Sequence, residues 1–290
     1  MTLPSADPAR FARRCHNAHH PVHIAYYFAP EHDAMYSALG LDAGPMSYVA
    51  GRAAPLGTVS AGTVVATFYN INPELVARTI PRIWATTTPE ALLRTRLLIV
   101  DAYLTRLLGR EVIASKEMSE AADLALRAVR ACTAPGRPLY AANAGLPVPE
   151  PPHLAFWHAI TLLREHRGDG HLMVLATAGL DGLDALVTHS ASGTGFTPAY
   201  LQRARGWSAQ EWAQARARLC DRGLLDAAGE LTALGMQTRR DIEVATDRLD
   251  VAPYEHLGLA GTKRLIGLAG EFTKLIQARN GFPLRDMGKG

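Results

Sequence analysis

The stretch Pro151 to Leu180, PPHLAFWHAITLLREHRGDGHLMVLATAGL, restricts the fold more than any other part of the chain. Its first half is apolar nearly all the way round a helix, and such a helix is buried. Pro151 and Pro152 can open it, since a first-turn residue has no N–H bond to lose. The pattern predicts a helix to about Arg167, a stop at Gly168, and a second helix from Asp169 or Gly170. At about 100° per residue, His158 and Glu165 fall on one line, flanked by Leu154 and Leu162. The expected turn gathers His166, Arg167, Asp169 and His171, the densest run of chemically capable side chains in the chain. Buried polar groups need partners. The cluster therefore reads in two ways: as a His–Glu pair and an Arg–Asp bridge satisfied within a core, or as a site.

The 290 residues suffice for one large domain or two modest ones. No apolar run reaches the length of a membrane span. The start, MTLPSADPARFARR, lacks the apolar core of a secretion signal. Cys15, Cys132 and Cys220 lie far apart, match no metal-ligand spacing and fit a reducing compartment. The expectation is a cytoplasmic protein with no membrane partner. A net charge of +3 is too small to argue for nucleic acid by itself.

Residues 8–20 predict a helix, and Pro21 the first turn of another. His16, His19, His20 and His23 have the spacing of one helical face, but Pro21 is expected to break it. That leaves a surface cluster, with only His23, ahead of Tyr26, Tyr27 and Phe28, directed at the core. Pro30 and Glu31 open a helix ending before Gly40. Arg52 is the only charge in GPMSYVAGRAAPLGTVSAG, so it either neutralises a buried carboxylate or grips an anionic ligand. Asn72 caps a helix with Pro73 in its first turn, and Pro81 re-sets the chain. Thr88, Pro89 and Glu90 start a long helix closed by Gly109, in which Asp101 is a candidate half-buried acid. Residues 117–132 form an amphipathic helix, and GRPLYAANAGLPVPEPP reads as a linker. Arg, a proline-rich loop and an aromatic helix occur twice, after Arg52 and after Arg137, pointing to related halves, 1–110 and 111–192, facing across a pocket.

From Phe196 the pattern becomes helix, helix, ribbon, helix, with Ser208 and Glu211 forming a capping box. The run ARLCDRGLLDAAGELTALG resembles the helix-and-wing region of MarR-type regulators. The expected fold is all-α, mainly helical, with a small two-stranded wing in a C-terminal winged helix-turn-helix. Residues 1–192 form a helical ligand-binding or catalytic domain, and 193–290 the winged helix-turn-helix domain with a C-terminal helix. In that last helix Leu265, Leu268, Phe272 and Leu275 make one stripe, suited to packing back or to a homodimer. The expected DNA-facing front, Glu211, Ala213, Gln214, Ala217 and Arg218, holds one cation, and the DAAG turn none. The winged helix is therefore expected to be architectural.

The stretches HIAYYFAPE, GRAAPLG, ATFYNINPELV with IPRIW, and LREHRGDGHLMVLATAGL resemble a group of actinobacterial helix-turn-helix family proteins. The resemblance covers most of the chain to about residue 190 and implies the architecture without implying an activity. The first functional reading is a small-molecule site, with acid–base catalysis among its uses. His158, Glu165, His166, Asp169 and His171 are its catalytic candidates. His23, Glu31, Arg52, Tyr69, Asp101 and Arg167 are its ligand-binding candidates. Glu165 would orient or charge His158, which would move a proton, while Arg52 or Arg167 held a carboxylate or phosphate. No metal ligands are assigned, because the seven-residue His158–Glu165 spacing exceeds the E-x-x-H spacing of bundle sites. A haem held by one His among Tyr26, Tyr27 and Phe68 stays open, so the cofactor is unknown. The second reading is a ligand-responsive winged-helix transcriptional regulator with DNA as partner, and the third a partner-binding scaffold.

Overall fold

The computed structural model describes residues 8–283. Among them are fifteen α-helices and no strand. The first nine are α1 (Pro8–Ile24), α2 (Pro30–Ser37), α3 (Pro45–Ala53), α4 (Ala61–Phe68), α5 (Pro73–Thr86), α6 (Pro89–Leu108), α7 (Arg110–Ile113), α8 (Lys116–Val129) and α9 (Pro138–Ala144). Then come α10 (Pro152–Thr177), α11 (Gly182–Ser190), α12 (Pro198–Arg205), α13 (Ala209–Asp221), α14 (Ala233–Leu249) and α15 (Ala252–Ala278). Many starts follow local chemistry. The Asn72, Thr88, Ser115, Thr197 and Ser208 side chains each accept a backbone N–H of the first turn of their helix.

The axis of the molecule is α10, which packs against α1, α6, α8, α9 and α14. Its apolar circumference is buried, from His153 to Leu163 without interruption. The main core gathers α1 to α6, α8, the first half of α10 and α15. Leu265, Leu268 and Phe272 are buried within it, so α15 packs back on its own chain against α1 and α8. A second core, from Leu175 to Ile242, joins the end of α10 to α11, α12, α13 and α14. There α12, the three-residue turn 206–208 and α13 make a helix-turn-helix, with α11 packed on α13.

Four expectations are corrected. First, α10 does not stop at Gly168; it runs unbroken to Thr177. Gly170 sits inside the helix facing α14, where a Cβ on it would be in ordinary contact with the Leu249 side chain at 3.5 Å. Second, α1 runs through Pro21. Thr273 of α15 donates to the Ala18 carbonyl near that proline, at 2.9 Å, where the helix lattice is weakened. Third, the expected linker contains α9, and Pro81 lies inside α5. Fourth, the two-stranded wing is absent from the described residues: Leu225 and Leu231 meet in one isolated antiparallel bridge. The segment is too short for more. Asp226 and Glu230 close the turn through both backbone and side chain, and Thr232 already caps α14. Among the described residues no single helix is long and apolar enough to cross a membrane.

Candidate ligand-binding site

A cavity of about 1020 Å³ lies in the seam where α1, α3 and α10 meet α14 and the end of α11. Seven arginines line it: Arg10, Arg13, Arg52, Arg164, Arg167, Arg239 and Arg240. Among the described residues only three carboxylates do, Glu165, Glu243 and Asp247, together with four imidazoles, His16, His20, His171 and His189. A second chamber of about 390 Å³ adjoins it, with His20 and Arg164 lining both.

The continuity of α1 brings His16 and His20 here. With Pro21 absorbed, the two imidazoles stack at 4.8 Å on the face that meets α10. The expected surface cluster is therefore a cavity wall. Burial, joined by neighbouring imidazoles and by Arg164 and Arg167, holds both rings well below the usual histidine range. Burial lowers His171 to about 4 and outweighs the opposing pull of Glu243. These rings are neutral at pH 7, so the guanidinium groups carry the positive charge.

Arg52 has a carboxylate partner and still lines the cavity. Its Nη2 donates to Glu165 Oε2 at 3.1 Å, and Arg164 Nη1 takes the other oxygen. Burial raises the Glu165 pKa, but the charges of Arg164 and Arg52 outweigh it and hold the carboxyl ionised. One carboxylate thus serves two guanidinium groups. The buried Nε–H groups of Arg52 and Arg164 have no acceptor among the described residues. Arg13 of α1 and Arg167 of α10 share Asp247 of α14 at 2.7 and 2.9 Å, which ties the three helices together along the seam; Arg239 meets Glu243 within α14 at 3.3 Å.

The expected site residues separate into two groups. Arg52, Glu165, Arg167 and His171 line the cavity. The expected His158–Glu165 pair does not form, because Arg52 and Arg164 take both Glu165 oxygens. Burial and the nearby Arg96 lower His158 to about 4. His166 meets Asp250 at 3.1 Å, and Asp169 accepts the Tyr140 N–H at 2.9 Å, so both tie α10 to its neighbours. His23 stacks on Trp157 at 4.9 Å inside the main core. Glu31 makes a two-point pair with Arg106 at 2.6 and 2.8 Å, away from the cavity. Asp101 is exposed rather than half-buried, 2.7 Å from His153. Tyr69 donates to the Leu180 carbonyl at 2.5 Å, a tie between the two cores. Gly182 is required there, since a Cβ on it would stand 1.9 Å from the Tyr69 carbonyl oxygen. Tyr26 and Phe68, named for a haem pocket, are core residues. Among the described residues no three His, Cys, Asp or Glu side chains are arranged to share a metal ion.

Sequence reasoning missed Arg13, Arg164, His189 and Tyr48. Tyr48 lines the smaller chamber and accepts from Arg52 Nη1 at 3.3 Å, with Arg205 4.4 Å above its ring. Burial raises its pKa, but Arg205, Arg52 and Arg164 outweigh that and bring the phenol down to about 8. The one legible signal was the four-histidine spacing on α1.

The helix-turn-helix is docked on the helical body at its turn. Trp207 donates to the Asn70 carbonyl at 3.0 Å, and the Asn72 side chain donates to Glu211 at 3.0 Å. The sequence model of a helix-turn-helix family matches residues 12–283. The chain belongs to that family. The match takes in the helix-turn-helix and every residue named as lining the cavity except Arg10. No curated protein and no solved structure matches this family member.

Proposed function

We propose that this protein binds an anionic small molecule in the seam cavity, with the helix-turn-helix region supplying one wall. The observation that carries this is the imbalance at one concave site: seven arginines against three carboxylates, with two buried guanidinium N–H groups unanswered. Guanidinium groups recognise carboxylates and phosphates through paired hydrogen bonds. Burying several of them without full pairing is costly unless a ligand completes the set. Arg52, Arg164 and Arg167 grip the anion, while Glu165 holds the first two in place. Any proton transfer at this site falls to the neutral imidazoles His20 and His171 and to Tyr48. His158, His166 and Asp169 serve packing.

The test is calorimetric titration with inorganic phosphate. The wild type should bind it, and an Arg52→Gln/Arg164→Gln variant that retains its helical circular dichroism should bind at least tenfold more weakly. Equal affinity in the two proteins overturns the reading.

A second reading, a ligand-responsive transcriptional regulator, is favoured by the family and by the wall itself. His189, Ser192, Thr194, Arg239 and Arg240 come from the helix-turn-helix side, so a bound anion would bear on how that region sits. The first turn of the second helix of such a motif enters the major groove. In α13 that turn is bonded to Asn72, so DNA reading would require its release. A mobility-shift titration on the upstream DNA of its own gene, at physiological salt and with or without phosphate, tests this. Sequence-selective binding that phosphate alters supports regulation; binding that salt removes for every sequence rules it out.

A further inference from the structure

The smaller chamber has a different chemistry from the larger one, and the two share His20 and Arg164 in their walls. Five rings line it: Tyr27, Phe28, Tyr48, Phe196 and Tyr200. All five are half-buried, so each keeps part of its surface toward open space. They form two groups by contact. Phe28 meets Phe196 at 5.6 Å, and Phe196 stacks on Tyr200 at 4.5 Å; Tyr27 meets Tyr48 at 5.0 Å. The rings come from both sides of the seam, Phe196 and Tyr200 from the helix-turn-helix side and the others from the body. The volume, about 390 Å³, suits a one- or two-ring ligand portion.

The link is Arg164. It lines both chambers, lies 6.0 Å from the Tyr27 ring and carries one of the unanswered Nε–H groups. Arg52 reinforces it, reaching Glu165 with one nitrogen and the Tyr48 hydroxyl with another. Among the described residues the carboxylate lining the smaller chamber is Asp33, which is engaged by His32 at 3.0 Å and Ser47 at 2.5 Å. A bare inorganic anion would leave the ring-lined space unused. A neutral aromatic would leave the guanidinium donors unmet.

We propose that the two chambers take one ligand, a planar aromatic acid, with its ring system among Phe28, Phe196, Tyr200, Tyr27 and Tyr48 and its acid group at Arg164. This rests on the anion site argued above and specifies what is attached to the anion. Ring-on-ring contact adds to burial of apolar area, and Arg–acid pairing fixes orientation.

The probes are 2-naphthoate, its neutral counterpart 2-naphthalenemethanol, and inorganic phosphate, titrated calorimetrically into the full-length protein. Naphthoate should bind at least tenfold tighter than either of the others. Phe196→Ala should cost naphthoate at least fivefold and leave phosphate unchanged. Arg164→Gln should weaken both anions and spare the alcohol. Phosphate binding with no advantage for naphthoate overturns the aromatic acid and leaves the anion site standing. Binding of neither anion overturns both. An undiminished naphthoate affinity in a folded Phe196→Ala variant also overturns the placement. The comparison of three probes on the wild type needs no variant to fold.

Discussion

The exposed flank of α13 and the seam cavity both carry arginines, and the two use them in opposite ways. On α13 the protein answers its own cations. Arg216 donates to the Ala228 carbonyl at 2.9 Å, Arg218 to Asp184 at 2.9 Å, and Arg222 to the same carboxylate at 3.2 Å. What remains on the exposed front is Ala213, Gln214 and Ala217, which cannot neutralise phosphates. In the seam, among the described residues, cations outnumber carboxylates and the buried Nε–H groups of Arg52 and Arg164 have no acceptor. The number of arginines says little about binding; what counts is how far the protein has already satisfied them.

The strongest way to break this contrast is Glu165→Gln. It removes the carboxylate shared by Arg52 and Arg164 and leaves two close guanidinium groups unneutralised. We expect a loss of about 3 kcal/mol in urea denaturation. Phosphate affinity should rise several-fold in the same protein, because the internal competitor is gone. A stability loss without a gain in affinity would mean that those guanidinium groups do not face the ligand.

Next is Asp169, a buried carboxyl in α10 just outside the cavity lining. Burial is the largest influence on it and, despite the Tyr140 N–H, raises it from 3.8 to about 6. Below pH 3.8 both folded and unfolded chains hold this proton. As pH rises from 3.8 to about 6 only the unfolded chain gives it up readily, so folding stability falls across that window. Asp169→Asn should remove this dependence and be more stable at pH 7.5 by about 2 kcal/mol, its new N–H offsetting part of the gain. Thermal unfolding of both proteins from pH 4 to 7.5 checks the sign.

A smaller effect is expected on α13. Arg218→Gln with Arg222→Gln strips the two half-exposed guanidinium partners of Asp184, which is itself buried. The loss should be about 1 kcal/mol, with phosphate binding unchanged. A drop in phosphate affinity would show that the two regions are not separate. The finest probe leaves stability aside. The absorbance at 295 nm should show one tyrosine titrating near pH 8, and Tyr48→Phe should abolish it, since the guanidinium groups around Tyr48 favour its ionised form.

Much of the helix framework was legible, because a cap is a local bond. Asn72, Thr88 and Ser208 each accept an N–H within three residues, and the sequence names both partners. The misreadings at Pro21 and Gly168 share one cause. Each residue disfavours a helix by itself, and in both cases the packing of the whole helix on its neighbours, α1 on α15 and α10 on α8, α9 and α14, outweighs that local cost. Those two errors hid the site, because an unbroken α1 places His16 and His20 in the seam and an unbroken α10 carries Arg167 and His171 along it. The expected ribbon failed for another reason. The capped start of α14 and the Asp226 turn leave room for one rung only.

By itself the sequence determined the helical class, the helix starts, the burial of the PHLAFWHAITLL segment and the candidacy of Arg52 and Glu165. Only the tertiary structure decided that these two residues, 113 positions apart, meet each other while His158 stands apart. It also decided that arginines from α1, α3, α10 and α14 converge while those of α13 are answered within their own surface. Periodicity and capping act over one or two turns and leave a mark in the sequence. The pairing of charges across a seam is set by how whole helices pack, and no local pattern records it.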